Sequence, residues 1–264
     1  MNWLKNSFKG LNTFEKNWLW IFSAIIVAST LYFSATTPTK DIWGWLLNWV
    51  LSPVSALTGV ICVVLCAKGK IQNYWWGIIN ALTYGVVAWT AGYLGDAFLN
   101  IFFFLPSQIF IFFFWKKHLD GNSVVAMKRM KPWVTAVVVV VSLLGVYFFA
   151  QFLMGVDNFF TQAMRRSSAF YANLTKVTGL PMLGPLLDST TVILQVVAQI
   201  LLILMFAEQW PLWIAVDIIT VGIWGIVIAT DPTSWGYAVP TLIMWVAFLA
   251  NSLWGIKVWY KSSK

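Results

Sequence analysis

Charge is scarce in this chain of 264 residues: Asp, Glu, Lys and Arg make up only 10% of it, where a soluble domain carries roughly a quarter. That shortage excludes a soluble globular protein and a disordered chain, both of which depend on solvated charge. Histidine occurs once, at His118 beside Lys116 and Lys117, so neither a zinc site nor a His-based triad can be assembled. Cysteine occurs twice, at Cys62 and Cys66, four apart on one face of one apolar segment; that placement disfavours a disulfide. No Gly-x-x-x-x-Gly-Lys-Ser/Thr loop is present, which argues against an ATP-driven pump. A lipid-modifying membrane enzyme would need a metal cluster, a nucleophile with its base or a carboxylate pair, and the scattered acids supply none. No catalytic residue, metal or cofactor is expected. The charge that remains is mostly basic, 17 Lys and Arg against 9 Asp and Glu. These residues sit between apolar segments instead of on one face or arm, which excludes a nucleic-acid partner.

What is abundant is apolar side chain: 60% of residues are hydrophobic, 17% aromatic, and the mean hydropathy is +0.77. Runs free of Lys and Arg lie at 18–38, 42–67, 74–94, 96–115, 133–154, 188–207, 211–230 and 236–256. Each is near the ~20 residues that a helix needs to cross a bilayer. The expected fold is an all-α integral membrane protein with eight transmembrane helices. The first run is too long for a signal peptide and ends in Thr-Thr-Pro-Thr-Lys without a cleavage pattern, so it reads as a true span.

With the N-terminus in the cytoplasm, 13 of the 17 basic residues fall inside and 4 outside (Lys40, Arg165, Arg166, Lys176). The positive-inside rule therefore predicts both termini cytoplasmic. Trp18, Trp43, Trp133 and Trp235, at span ends, suit interfacial belts. The stretch 155–187, partly amphipathic, reads as a helix lying on the outer surface.

Shifting the chain by 137 positions sets Gln72, Trp76, Thr83 and Gly85 on Gln209, Trp213, Thr220 and Gly222, with Asn80 on Asp217. The spans then group as a leading helix (1–41), a triplet (42–120), a linker helix with the outer amphipathic loop (121–187) and a second triplet (188–264). Span 6 is four spans on from span 2, so the triplets run in the same direction. A parallel repeat of this kind places a binding site between its halves.

Polar side chains inside spans locate that interior. Asp188, Gln195 and Gln199 share one face of span 6, and Trp213, Asp217 and Trp224 one face of span 7. Trp76, Asn80 and Tyr84 line span 3, Asn100 and Gln108 span 4, and Asn251 span 8. These twelve residues are the candidate substrate-binding set. Neutral amides suit hydroxyls and carboxamides, aromatic faces suit a flat and preferably cationic ring, and Asp217 offers an offset to positive charge. No Lys or Arg lies mid-span, so a phosphorylated ligand lacks charge partners. A ribonucleoside fits this chemistry.

The run Lys70-Ile71-Gln72-Asn73-Tyr74-Trp75-Trp76-Gly77-Ile78-Ile79-Asn80 resembles the Lys-Ile-x-Asn-Tyr-x-x-Gly-x-Ile-Asn signature of the PnuC nicotinamide riboside transporters. Asp188-Ser189, Trp210, Trp213 and Asn251 are similar to the same family. The resemblance covers residues 48–260 and leaves out the leading span. It implies a SWEET-like bundle of three, one and three helices behind that leading helix, a homotrimer in the bacterial inner membrane, and facilitated uptake of nicotinamide riboside trapped by cytoplasmic phosphorylation. Lack of a buried acid pair for an ion relay favours uniport by alternating access. Thiamine or riboflavin on the same scaffold is the alternative cargo.

Overall fold

The computed structural model describes residues 7–119, 125–164 and 168–263; Lys5, Arg165, Arg166 and Lys264, which enter the charge count above, lie outside them. The apolar runs fold as helices: α1 (Thr13–Thr36), α2 (Ile42–Ala67), α3 (Asn73–Ala91), α4 (Leu94–Lys116), α5 (Pro132–Met164), α6 (Ala169–Thr178), α7 (Leu183–Ile203), α8 (Gln209–Thr230) and α9 (Trp235–Ser262). Among the described residues there is no sheet, only two isolated β-bridges. Seven helices are long and apolar enough to cross a membrane: all but α3 and α6. Helix α3 has 19 residues, but its Asn73, Tyr74, Asn80 and Tyr84 dilute its apolarity. It packs against α2 and α4, where such groups need not meet lipid.

Helix α1 opens on a reciprocal capping box. The Glu15 N–H donates to Asn12 Oδ1 and the Asn12 N–H to Glu15 Oε2, both at 2.9 Å. Glu15 also pairs with Lys68 at 3.1 Å, tying α1 to the turn between α2 and α3. Helices α2 and α4 each contain one wider turn, at Leu47–Leu51 and Asn100–Phe104. In both, a proline follows by two residues, Pro53 and Pro106. A proline has no N–H and its ring clashes with the carbonyl four residues back. The helix relieves this just upstream: the Ser52 N–H donates to Leu47 O and the Leu105 N–H to Asn100 O, each five residues back.

The linker span ends later than its predicted 154. Helix α5 runs unbroken to Met164, and its Asp157 carboxylate accepts the Ser168 N–H at 2.6 Å. In the stretch 155–187, α6 is amphipathic in its packing, with Lys176 and Val177 exposed. Its Phe170, Tyr171 and Leu174 are buried in the main core, and burial beside the Asp188 carboxylate holds the Tyr171 hydroxyl protonated, well above its usual range.

The first helix of each triplet packs on the last helix of the other, α2 on α9 and α7 on α4, while α5 leans on α7 and α1 on α9 and α2. A matched pair of bonds secures one end. Buried Trp115, near the end of α4, donates its indole N–H to Ile203 O, and buried Trp259, near the end of α9, donates to Ala67 O, both at 3.1 Å. Ala67 and Ile203 are the last residues of α2 and α7, whose carbonyls lack helical partners. The turns that follow share one hydrogen-bond pattern: Gly69 and Met205 both have φ of 66°, and Lys70 and Phe206 donate to Leu65 O and Leu201 O. The accepting carbonyls and the turns lie 136 positions apart, one fewer than the 137 of the sequence coincidences, while the two indoles lie 144 apart. Outward faces carry exposed Trp20, Phe102, Phe113, Val141 and Phe148.

Candidate functional site

Between the triplets lies a cavity of about 830 Å³, openings included, walled by α2, α3, α4, α7, α8 and α9. Of the twelve candidate residues, nine line it: Asn80, Tyr84, Asn100, Gln108, Gln195, Gln199, Trp213, Asp217 and Asn251. Asn73, Trp210, Met244 and Trp245 join them.

Three candidates stand elsewhere. Trp76 points its indole N–H at Ser7 Oγ (3.2 Å) and its ring at Phe8, outside the cavity lining. Trp224 lies one layer behind, donating to the Tyr84 hydroxyl at 3.3 Å. Asp188 is fully buried and caps the start of α4, accepting from the N–H groups of Gly95 (2.7 Å) and Asp96 (3.2 Å) and from the Tyr171 hydroxyl (2.6 Å). Helical spacing assigned Asp188 to the right face, but eleven residues above Gln199 is ~16 Å of rise, which carries it past the end of the cavity.

Glycines decide how closely the walls approach. A Cβ on Gly77 would sit 2.6 Å from the Gln108 carboxamide, and one on Gly59 would sit 2.7 Å from Asn80 Nδ2. The 136 offset relates lining positions as well: Gly59 to Gln195, Gly77 to Trp213, Ala81 to Asp217. At these three pairs the first triplet contributes space and the second contributes polar or aromatic bulk, so the cavity is lopsided.

Seven carboxamides line the cavity, and six have their NH2 groups already engaged. Asn73 Nδ2 donates to Lys70 O (2.8 Å), Asn80 Nδ2 to Ser55 O (2.9 Å), Asn100 Nδ2 to Asp96 O (2.8 Å) and Asn251 Nδ2 to Val63 O (3.0 Å). Gln195 Nε2 donates to Asp96 Oδ1 (2.7 Å) and Gln199 Nε2 to Ser107 Oγ (3.1 Å), whose own proton goes to Phe104 O. Backbone carbonyls and a carboxylate only accept, and the Ser107 hydroxyl has spent its proton, so each partner fixes which way the amide faces. Each NH2 carries two N–H, and among the described residues only Asn80 Nδ2 of the six has further partners, Ser55 Oγ (3.4 Å) and Met244 Sδ (3.7 Å). Gln108, lying on Gly77, has neither end engaged by protein.

The aromatic wall is equally held. Tyr84 accepts the indole N–H groups of Trp224 and Trp245 (3.3 and 3.2 Å). Trp213 stacks near Phe104, with centroids 6.2 Å apart and planes 25° from parallel, its N–H bonded to Gln209 Oε1. Asp217 is the only Asp or Glu in the lining, with Ser252 Oγ donating to it at 2.7 Å, and no Lys, Arg or His is present there. Asp96 and Ser107, which orient two of the glutamines, escaped the sequence reading, and Asp96, fully buried beside Asp188, makes a buried acid pair where the sequence reading expected none. Each looks ordinary in sequence, at the start of a span and beside a proline, and acts only through another side chain.

A family model for nicotinamide mononucleotide transporters matches residues 49–261. The nicotinamide riboside transporter PnuC of Haemophilus influenzae is 35% identical over 267 residues, covering 99% of this chain and 96% of its own length. That of Neisseria mucosa is 29% identical, covering 99% and 86%. A crystal structure of the vitamin B3 transporter PnuC superposes with a TM-score of 0.74 at 30% identity, covering 99% of this chain and 97% of that one.

Proposed function

The chain belongs to the PnuC family of nicotinamide riboside transporters, and from that premise we propose that it carries nicotinamide riboside through the cavity between its helix triplets. It is a membrane transporter, not an enzyme. The observation that carries the choice of cargo is the lining: amide oxygens and aromatic faces around one carboxylate, without a cation. A pyridinium ring finds π faces and Asp217, ribose hydroxyls find acceptors, and a phosphate finds no partner. This favours the riboside over the mononucleotide.

The finer reading is that α3 crosses as an eighth span, that α2–α4 and α7–α9 are parallel repeats joined by α5, and that the triplets rock about a central site. The 136 offset and the matched Trp115 and Trp259 bonds support it. Both termini face the cytoplasm of a bacterial inner membrane, the assembly is a homotrimer, and transport is uniport with trapping by phosphorylation. Calorimetric titration of detergent-purified protein with nicotinamide riboside, with thiamine and riboflavin as competitors, tests the cargo; displacement by either competitor contradicts it. Uptake into proteoliposomes that vanishes without a proton or sodium gradient contradicts uniport.

A further inference from the structure

Helix α2 puts a stripe of four residues on the cavity wall, Gly59, Cys62, Val63 and Cys66, at offsets of three, four and seven. Both cysteines are unbridged, and the chain has no others. The turn between them is where Asn251 reaches α2, its Nδ2 donating to Val63 O at 3.0 Å. One turn before Cys62, the missing Cβ of Gly59 makes room for Asn80 Nδ2. The two thiols thus stand among the amides that a riboside would meet.

Residues four apart on one helix face have Cβ atoms about 5–6 Å apart. A disulfide needs them at about 3.8 Å, so the pair stays reduced. Two sulfurs that share a metal ion at ~2.3 Å each span ~4.6 Å, which thiols on that spacing can reach. Among the described residues no group of three or more His, Cys, Asp or Glu is placed to hold a metal ion. The pair therefore suits an ion that takes two ligands and not zinc, which takes four. We propose that Cys62 and Cys66 form a site for a soft, two-coordinate cation such as Hg2+, and that the bridging ion blocks riboside binding. Two S–H bonds break, two S–Hg bonds form and two protons leave to solvent, with no change of oxidation state. The product is neutral, so it adds no charge to a wall without Lys, Arg or His. The blocking rests on the riboside reading above; the metal site does not.

Detergent-purified protein is loaded with Hg2+, washed with glutathione, weighed by native mass spectrometry and titrated calorimetrically with nicotinamide riboside. The wild-type chain is expected to keep one ion through the wash, because the second thiol acts at high effective concentration. Loaded protein is expected to bind the riboside at least about 100-fold more weakly than unloaded protein, and dithiothreitol to restore binding. Cys62→Ala and Cys66→Ala are each expected to surrender the ion to glutathione, and Zn2+ to wash off the wild type. Melting temperatures confirm that the variants are folded, and either variant alone carries the test. A wild-type chain that gives up Hg2+ as readily as the variants, or holds Zn2+ equally well, overturns the proposal. So does one that keeps Hg2+ yet binds the riboside within about threefold of unloaded protein; each of these results leaves the transport reading intact. If unloaded protein fails to bind the riboside, the transport reading and the blocking fall, and retention of the ion still decides the thiol site.

Discussion

At the scale of single residues, the cavity separates groups that touch a ligand from groups that hold those groups still. Trp213 offers a ring face and Asn80 an oriented oxygen, so Trp213→Ala and Asn80→Ala are each expected to weaken riboside binding by about 1–3 kcal/mol, read by calorimetry. Asp188 belongs to the other class. Removing its carboxylate leaves the Gly95 and Asp96 N–H groups and the Tyr171 hydroxyl without their acceptor, at about 1–3 kcal/mol for each orphaned donor. Asp188→Ala should therefore lower the melting temperature sharply. A riboside affinity lost without any loss of stability would put Asp188 in the binding site after all. Helical spacing found most of the lining, because offsets of three, four and seven identify a face. It misplaced Asp188 because it says nothing about depth along the face, Trp76 because that residue stands at the flank of the lining face of α3, and Trp224 because it says nothing of a second layer.

At the scale of helices, Gly77 sets the distance between α3 and α4. Its absent Cβ leaves room for the Gln108 carboxamide, so Gly77→Ala should displace that amide and weaken riboside binding more than it weakens the fold; unchanged affinity would contradict the packing described. The two clasping indoles act between helices. Trp115→Phe and Trp259→Phe each lose one bond to the last carbonyl of the opposite triplet's first helix. Each is expected to cost about 1 kcal/mol in detergent melting, and the two should resemble one another because each indole bonds the equivalent carbonyl, Ile203 O or Ala67 O. The span limits of α2 and α4 could be read from charge-free runs alone. The end of α5 could not, since the helix continues past the apolar run to Met164.

At the scale of the whole molecule, the proposed repeat rests in sequence on a handful of coincidences at 137, while the turns and the lining align at 136. A slip of one residue turns a helical face by ~100°, so Trp76, set on Trp213 at 137, stands outside the lining while Gly77 takes the matching place at 136. The charge of the cavity was legible from the outset in the absence of mid-span Lys and Arg. The direction of each amide was not, because it depends on partners from other helices. The central claim, a cation-free chamber of oriented oxygens for an unphosphorylated pyridinium riboside, is tested most directly by titrating the protein with nicotinamide riboside and then with nicotinamide mononucleotide. The riboside is expected to bind and the mononucleotide to bind at least about 100-fold more weakly; equal affinity for the two would contradict the account.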